Sequence, residues 1–322
     1  MCIAAFLWKA HPIYPFLLFL NRDEYYDRYL GINLTISISY VLAELLLCFF
    51  LINGLLEIER PTKALAWWDD GVILGGRDVL AGGTWLGCNL NGKIAFLTNV
   101  REVVDLPSSH TKSRGDLPVR FLRVPTTLIV IYASSWLQSN KSPCDFAEEL
   151  MGVADHFGGF NLIVVDICSM TMFYITNRPK DRGVSATEVL PGIHVLTNAS
   201  LDSPWPKAQR LQKGFKLVLE EYGESEIPLE SAGKQLMKDT TKDEERNLLP
   251  GIYAPEREYR LSSIFVEADE DSEGRYGTRS TSALAIKNSL EVNFYEMRLE
   301  NDLWKEQTIS FKIEKSPTPA HN

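Results

Sequence analysis

Met1-Cys2-Ile3-Ala4-Ala5-Phe6-Leu7-Trp8 opens the chain, and Phe16-Leu17-Leu18-Phe19-Leu20 runs into Asn21-Arg22-Asp23-Glu24 shortly after. The two apolar runs read as buried strands joined by a turn at His11-Pro12, so the second strand delivers Asn21 and Arg22 at its end. That hairpin carries chemistry at one end. Removal of Met1 would leave a thiol and a free α-amino group on Cys2, placing nucleophile and general base on one residue without a catalytic histidine. Their unperturbed pKa values, about 8.5 and about 7.8, allow proton exchange near neutral pH. A neighbouring cation such as Arg22 favours the thiolate, the reactive form. Cysteine is also among the most buried residue types, so position alone does not make Cys2 reactive.

Outward from this hairpin, residues 71–76, 84–89 and 93–99 continue as short strands, with Asn91-Gly92 a two-residue hairpin turn. Gly82-Gly83 lacks the spacing and following lysine of a phosphate loop and reads as a flexible connection. Ser142-Pro143-Cys144-Asp145 opens a helix with Ser as N-cap and Pro at the first position. Residues 160–167, 171–176 and 192–198 are strands, and 206–222 shows helical spacing stopped by Gly223. The charged stretch 224–258 is expected to hold one short helix near 229–238 and then a mobile loop. Residues 278–286, 291–300 and 308–313 finish as strands, and 315–322 as a disordered tail. Strands, then helices, then strands indicate an α+β protein rather than an alternating parallel sheet. Motifs run from end to end, which predicts a single domain over 1–314.

Composition narrows the function classes. With 45% apolar residues in 322 the chain can bury a large core, and a net charge of -9 argues against a nucleic-acid partner. Five cysteines, at 2, 48, 88, 144 and 168, show no CxxC spacing and cannot all pair, which suits a reducing compartment and a cytoplasmic location. No basic region precedes the first apolar run, so no secretory signal is expected. The sequons at Asn33 and Asn198 are therefore chance matches. Arg114-Gly115-Asp116 reads as the loop before a helix. The acidic run 267–273 has no spaced ligand pattern, and no metal site is expected.

Eight segments occur in order: Met1-Cys2-Ile3, Asn21-Arg22-Asp23-Glu24, Gly82-Gly83-Thr84-Trp85-Leu86-Gly87, Leu97-Thr98-Asn99, Gly159-Phe160-Asn161-Leu162-Ile163, Leu196-Thr197-Asn198-Ala199, Pro204-Trp205 and Tyr276-Gly277-Thr278-Arg279. Together they resemble the NRDE family. The resemblance implies a four-layer αββα sandwich similar to N-terminal-nucleophile hydrolases, a layering that periodicity does not reveal. It also implies site roles in the manner of cysteine N-terminal-nucleophile amidases acting on a small amide. Cys2 would be the nucleophile, Arg22 would hold the thiolate, and Asp23 would orient the amine or Arg22, with Asp27 the alternative acid. Asn99 and Asn198, at strand ends, are candidate oxyanion donors. Arg279 would anchor a substrate carboxylate or support Cys2. Strand-end turns account for such Asn residues equally well, and structural ion pairs for the Arg residues. No cofactor is required. The resemblance also brings an association with secretory-pathway organisation, with a Golgi or mitochondrial setting, and a second reading as a non-catalytic carrier of haem or a lipid-like ligand. Cys2, His11 and His194 are then the candidate axial ligands, although no haem motif is present.

Two apolar stretches interrupt this pattern. Residues 34–52, LTISISYVLAELLLCFFLI, carry Glu44 as the one charge and are long enough to span a bilayer, which would give membrane association. The resembling family runs from Arg-Asp-Glu-x-Tyr-x-Arg directly into Pro-x-Lys, which joins Arg28 to Pro61 and makes 29–60 an insertion. A second insertion is expected at 124–138, too short for a membrane helix. We read 29–60 as translated intron, since an AGG-TAT junction at Arg28-Tyr29 would supply a splice donor and Arg60 a terminal AG. Genomic sequence is expected to show both splice signals at these codons, and an uninterrupted exon without them would refute the reading.

Overall fold

The chain pairs its apolar runs into two sheets of seven strands each, described over residues 2–26, 62–68, 71–102, 112–123, 141–271 and 274–314 of a computed structural model. The first sheet has the order β10 (Gly192–Leu196), β1 (Cys2–Trp8), β2 (Phe16–Tyr25), β12 (Gly274–Ile286), β13 (Glu291–Glu300), β14 (Leu303–Lys312). The short β11 (Asp269–Asp271) pairs with β12. The second sheet is a meander of β3 (Thr62–Trp68), β4 (Ile73–Asp78), β5 (Leu86–Cys88), β6 (Lys93–Asn99), β7 (Phe160–Asp166), β8 (Thr171–Thr176) and β9 (Ser185–Glu188). The strand pairs within both sheets are antiparallel.

Side-chain alternation sorts the core into three apolar layers. Phe6, Trp8, Phe16 and Leu18 face the second sheet and pack on Leu74, Phe96, Ile163 and Val165. The Phe6 and Phe96 rings meet edge to face at 5.3 Å. The intervening residues Ile3, Ala5, Leu7 and Phe19 face the other way, against α3 (Pro206–Tyr222) and α4 (Leu229–Met237) through Leu211, Phe215, Val218 and Leu236. On the far side of the second sheet, Ala95, Leu162 and Val164 pack on α1 (Asp116–Leu122) and α2 (Pro143–Met151). The order of layers is helix, sheet, sheet, helix, the αββα sandwich that the resemblance implies. It is α+β, because no parallel crossover builds either sheet.

Local rules explain the helix ends. Ser142 accepts the Asp145 N–H, and Asp145 accepts the Ser142 N–H in return, a capping box that starts α2 behind Pro143. Pro206 opens α3, and Gly115 immediately precedes α1. The apolar alternation predicts the last strand from 308, but β14 begins at Leu303. Asn301 and Asp302 take positive φ of 51° and 57°, a tight turn that carries the hairpin through from Glu300. Exposed residues such as Trp304 and Lys305 hid that pairing, because they break the apolar alternation.

Among the described residues no helix is long and apolar enough to cross a membrane. The apolar stretch 34–52, the readings of 29–60 and 124–138 as insertions, and the tail 315–322 lie outside the described residues.

One glycine of the second sheet leaves room for the Trp85 indole. A Cβ on Gly76 of β4 would lie 2.6 Å from two Trp85 ring atoms, so the indole needs a residue without a side chain there. Gly76→Ala is expected to destabilise the protein by about 1–3 kcal/mol through this overpacking. Urea unfolding followed by circular dichroism measures it.

Candidate active site

Strand register brings the hairpin residues together. Cys2 stands opposite Arg22 across β1 and β2, and Arg22 stands opposite Ser280 across β2 and β12. Partners in an antiparallel pair share a face, so Cys2 and Arg22 both point between the sheets. The Arg22 guanidinium lies 4.3 Å from the Trp85 ring centroid and 3.6 Å from the Glu24 carboxylate. The β12 register shifts between Thr278 and Ser280, a bulge that leaves Arg279 outside the regular ladder.

Asn198 joins the first strand to the second sheet. The Cys2 backbone N–H donates to Asn198 Oδ1 at 3.2 Å. Asn198 Nδ2 in turn donates to the Asn99 carbonyl at 2.8 Å and to Asn99 Oδ1 at 3.1 Å. The Asn198 side chain is therefore committed to holding the Cys2 nitrogen, and its amide donor is already used. This differs from the oxyanion role expected for it. Asn99 spends its side-chain oxygen on Asn198, which leaves its Nδ2 without a partner among the described residues. Asn198 has no exposed surface, so its sequon is inaccessible.

The other family motifs support this arrangement. Asn161 of β7 donates to Thr98 Oγ1, the Thr197 carbonyl and the Ala199 carbonyl, while Tyr174 Oη donates to its Oδ1 at 2.7 Å. Thr98 Oγ1 also donates to the Thr197 carbonyl at 2.7 Å. These bonds tie the Asn198 turn to the second sheet. Asp23 accepts the Thr278 hydroxyl at 2.7 Å, and that hydroxyl accepts the Val266 N–H at 2.9 Å. Gly277 permits this crossing, since a Cβ there would lie 2.9 Å from the Val266 carbonyl oxygen. Arg279 donates to the Tyr25 and Tyr26 carbonyls at 3.4 and 3.3 Å, and so fastens the chain where β2 ends. Asp27 lies outside the described residues.

Burial governs the charges. Only 9% of Cys2 is exposed, and desolvation raises its thiol above the ordinary range. The α-amino terminus, Arg22 and the Asp23 N–H pull the thiol down, while the Asp23 carboxylate pushes it up. Asp23 is likewise raised by burial, against the terminus, Lys207, the Thr278 hydroxyl and Arg22. Arg22 thus favours the thiolate as its position suggests, but burial outweighs it.

Sequence reasoning missed three neighbours. Trp85 stands in a quoted motif but its place beside Arg22 has no local signal, and Lys207 and the Arg101–Glu258 pair carry none either, because all are far apart in the chain. Arg101 donates its backbone N–H to the Asn198 carbonyl at 2.7 Å, and its guanidinium meets Glu258 at 2.7 Å with both side chains buried. Glu258 belongs to α5 (Pro255–Arg260), inside the charged stretch expected to be a mobile loop. The stretch instead ends in a second helix, opened by Pro255, and Arg101 gives the Glu258 carboxylate a buried partner. The candidate haem ligands His11 and His194 have both ring nitrogens engaged. His11 meets the Gly223 carbonyl and the Ile13 and Tyr14 N–H groups, and His194 meets Asp202 and the Leu190 carbonyl. Among the described residues no His, Cys, Asp and Glu side chains gather into a metal site.

The fold and site define a four-layer αββα protein with a cysteine at the open end of its central hairpin. The chain belongs to the family described as Transport and Golgi organisation 2, whose model matches residues 1–33 and 57–301. Residues 34–56 fall outside that match. The chain is 26% identical over 336 residues to the Transport and Golgi organization protein 2 homolog of Bos taurus, covering 98% of this chain and 100% of the relative. It is 26% identical over 333 residues to the Homo sapiens homolog, with the same coverage. Among solved structures, a C2A mutant of the conjugated bile acid hydrolase from Clostridium perfringens aligns at 11% identity and TM-score 0.35, over 99% of each chain. The Caenorhabditis elegans ortholog of N-acylethanolamine-hydrolyzing acid amidase aligns at 12% identity and TM-score 0.32, over 81% of this chain and 98% of the other. The layering itself rests on the three apolar layers and not on these superpositions.

His194 gives the Asn198 turn a pH dependence. Burial lowers its pKa, but the Asp202 carboxylate at 2.7 Å and the Leu190 carbonyl outweigh burial and leave it above the ordinary value. A raised folded-state pKa stabilises fully below the unfolded value of about 6.5 and loses that contribution as pH rises through the folded value. Thermal unfolding midpoints across pH 5 to 9 (about the range in which His titrates) are expected to show this loss. Asp202→Asn should flatten that part of the curve.

Proposed function

We propose that the protein is an amidohydrolase whose nucleophile is Cys2, made N-terminal by removal of Met1, and whose substrate is a small amide. The observation that carries this reading is the buried bond from the Cys2 nitrogen to Asn198 Oδ1 at 3.2 Å. In the processed chain that nitrogen is the α-amine, and the same bond aims it beside its own thiol. The neutral amine takes the thiol proton as sulfur attacks the amide carbon. Asn99 Nδ2 offers a neutral donor for the oxyanion that forms. The amine then returns the proton to the leaving nitrogen as the C–N bond breaks, which leaves a thioester on Cys2. Water adds to that thioester with the amine as base, the S–C bond breaks, and acid and free Cys2 are released. Arg22 favours the thiolate, Asp23 balances the cations, and Arg279 holds the end of β2.

One observation favours a second reading. A thiol this buried and held above its ordinary range suits a scaffold that carries a haem or lipid-like ligand without turnover, within the transport role that names the family. Intact-mass analysis and an electrophilic amide probe separate the two. The amidohydrolase reading expects Met1 to be absent and Cys2 to be modified by the amide probe at least about tenfold faster than Cys88, Cys144 and Cys168, an advantage that comes from holding the probe against a thiol with its own adjacent base and not from a resting thiolate. Cys2→Ser should abolish the labelling. Retained Met1, or no preference for Cys2, overturns it in favour of the carrier.

A further inference from the structure

A buried ion pair stands behind the Asn198 turn. Arg101 Nη2 lies 2.7 Å from Glu258 Oε2, with each side chain 2% exposed. The other Glu258 oxygen, Oε1, accepts the Ile252 N–H at 2.9 Å and the Tyr253 N–H at 2.8 Å. One carboxylate therefore gathers the loop before α5 and the guanidinium of a distant segment. The Tyr253 ring centroid lies 4.4 Å from the Arg101 guanidinium and 4.6 Å from that of Arg257. Arg257 in turn donates to Tyr25 Oη at 2.8 Å, where β2 ends.

This pair is a poor source of stability. Taking two charges out of water costs as much as their attraction offsets unless their remaining groups are hydrogen-bonded. Arg101 Nε is buried without an acceptor among the described residues. Well-packed apolar side chains would hold α5 as firmly, but they would not fix a direction. The carboxylate fixes one for Arg101, whose backbone N–H donates to the Asn198 carbonyl at 2.7 Å. Asn198 then holds the Cys2 nitrogen on Oδ1 at 3.2 Å and spends Nδ2 on Asn99. Glu258, Arg101, Asn198 and Cys2 thus form an unbroken line of contacts from α5 to the first strand.

We propose that Arg101 is a positioning residue for the Cys2 site, set in place by the Glu258 carboxylate of α5 and acting through Asn198. The functional meaning rests on the amidohydrolase reading, in which the Cys2 nitrogen is the base and Asn198 decides where it stands. Misplacing such a group by about 1 Å costs on the order of a hundredfold in rate. The mechanical content, the hold of Glu258 on the Asn198 side chain, is measurable with or without Met1.

Full-length wild type, Glu258→Gln and Glu258→Asp test it. Glutamine keeps an oxygen for the Ile252 and Tyr253 N–H groups and removes the charge that faces Arg101. Side-chain amide hydrogen exchange, followed by NMR with 15N-labelled asparagine, compares Asn198 with Asn21. The Asn21 amide is buried on the Met237 and Ile264 carbonyls and reports opening of the whole fold. Glu258→Gln is expected to speed Asn198 exchange at least about tenfold relative to Asn21, a local opening and not a global one. Glu258→Asp keeps the charge but draws it back by one methylene; it should raise the same ratio about threefold and decides the matter if Glu258→Gln does not fold. In protein that lacks Met1, the amide probe should label Cys2 of Glu258→Gln about a hundredfold more slowly, with Cys144 labelling unchanged. Equal acceleration of both asparagines, acceleration of neither, or an unchanged Cys2 rate in Met1-free protein would overturn the proposal and leave the pair a structural tie for α5. Failure of the amidohydrolase reading shows separately, as retained Met1 or unselective Cys2 labelling in wild type.

Discussion

The register of β2 is the constraint on which everything else depends. This strand is paired on both sides and buried on both faces, so a slip of one residue would exchange the inter-sheet set Phe16, Leu18 and Leu20 for Leu17, Phe19 and Asn21. Asn21 makes that slip expensive. Its Nδ2 donates to the Met237 and Ile264 carbonyls at 2.7 and 3.0 Å, and its Oδ1 accepts the Thr281 hydroxyl at 2.7 Å. Each of these groups would be buried without a partner after a slip, at about 1–3 kcal/mol apiece. With Asn21 fixed on the helix face, Arg22 must face the second sheet opposite Cys2. The family motif therefore places an amide of the helix face next to a cation of the inter-sheet face.

A site built this way inherits the dielectric of a core. Cys2 and Asp23 are pushed up by burial, and Lys207 and Arg101 are pushed down, so each is driven toward its neutral form. Charges in such a place persist only as mutually compensating sets. Arg101 with Glu258, 2.7 Å apart, is one set, and Asp23 with Arg22 and the chain terminus, the charges that act on Cys2, is another. The first fixes the backbone that carries Asn99 and Asn198. The second sets the electrical environment of the sulfur.

Much of this frame was legible in the sequence wherever the signal is local. The opening hairpin, the capped start of α2 and the span of α3 all follow from alternation and caps, and the turn between β5 and β6 falls at Asn91-Gly92 as a three-residue loop over 90–92 instead of the two-residue turn expected, with Gly92 at φ 80°. What could not be read is what joins distant segments. Asp23 and Thr278 are 255 positions apart and Cys2 and Asn198 are 196 apart, and no periodicity connects them. Trp85 and Arg22 were each visible as part of a motif, but their contact was not. Glu258 shows the converse error, since a charged neighbourhood suggested solvent while the fold supplied a buried cation. The four-layer order came from the resemblance and not from the pattern of residues.

The raised thiol constrains chemistry on this scaffold more than it forbids it. A cysteine nucleophile that rests as thiolate needs its pKa held low, and burial at Cys2 works against that. A cysteine that gives up its proton only during attack needs instead an adjacent base, and the bond from its own nitrogen to Asn198 Oδ1 fixes where that base would stand. In that second regime burial is useful, because a neutral thiol and a neutral amine are the forms a dry site favours, and on the proposed reading charge would develop where Arg22 and the Asn99 amide are to meet it. The same burial that keeps the sulfur quiet without a ligand is then part of how a bound amide would be the one trigger for its ionisation.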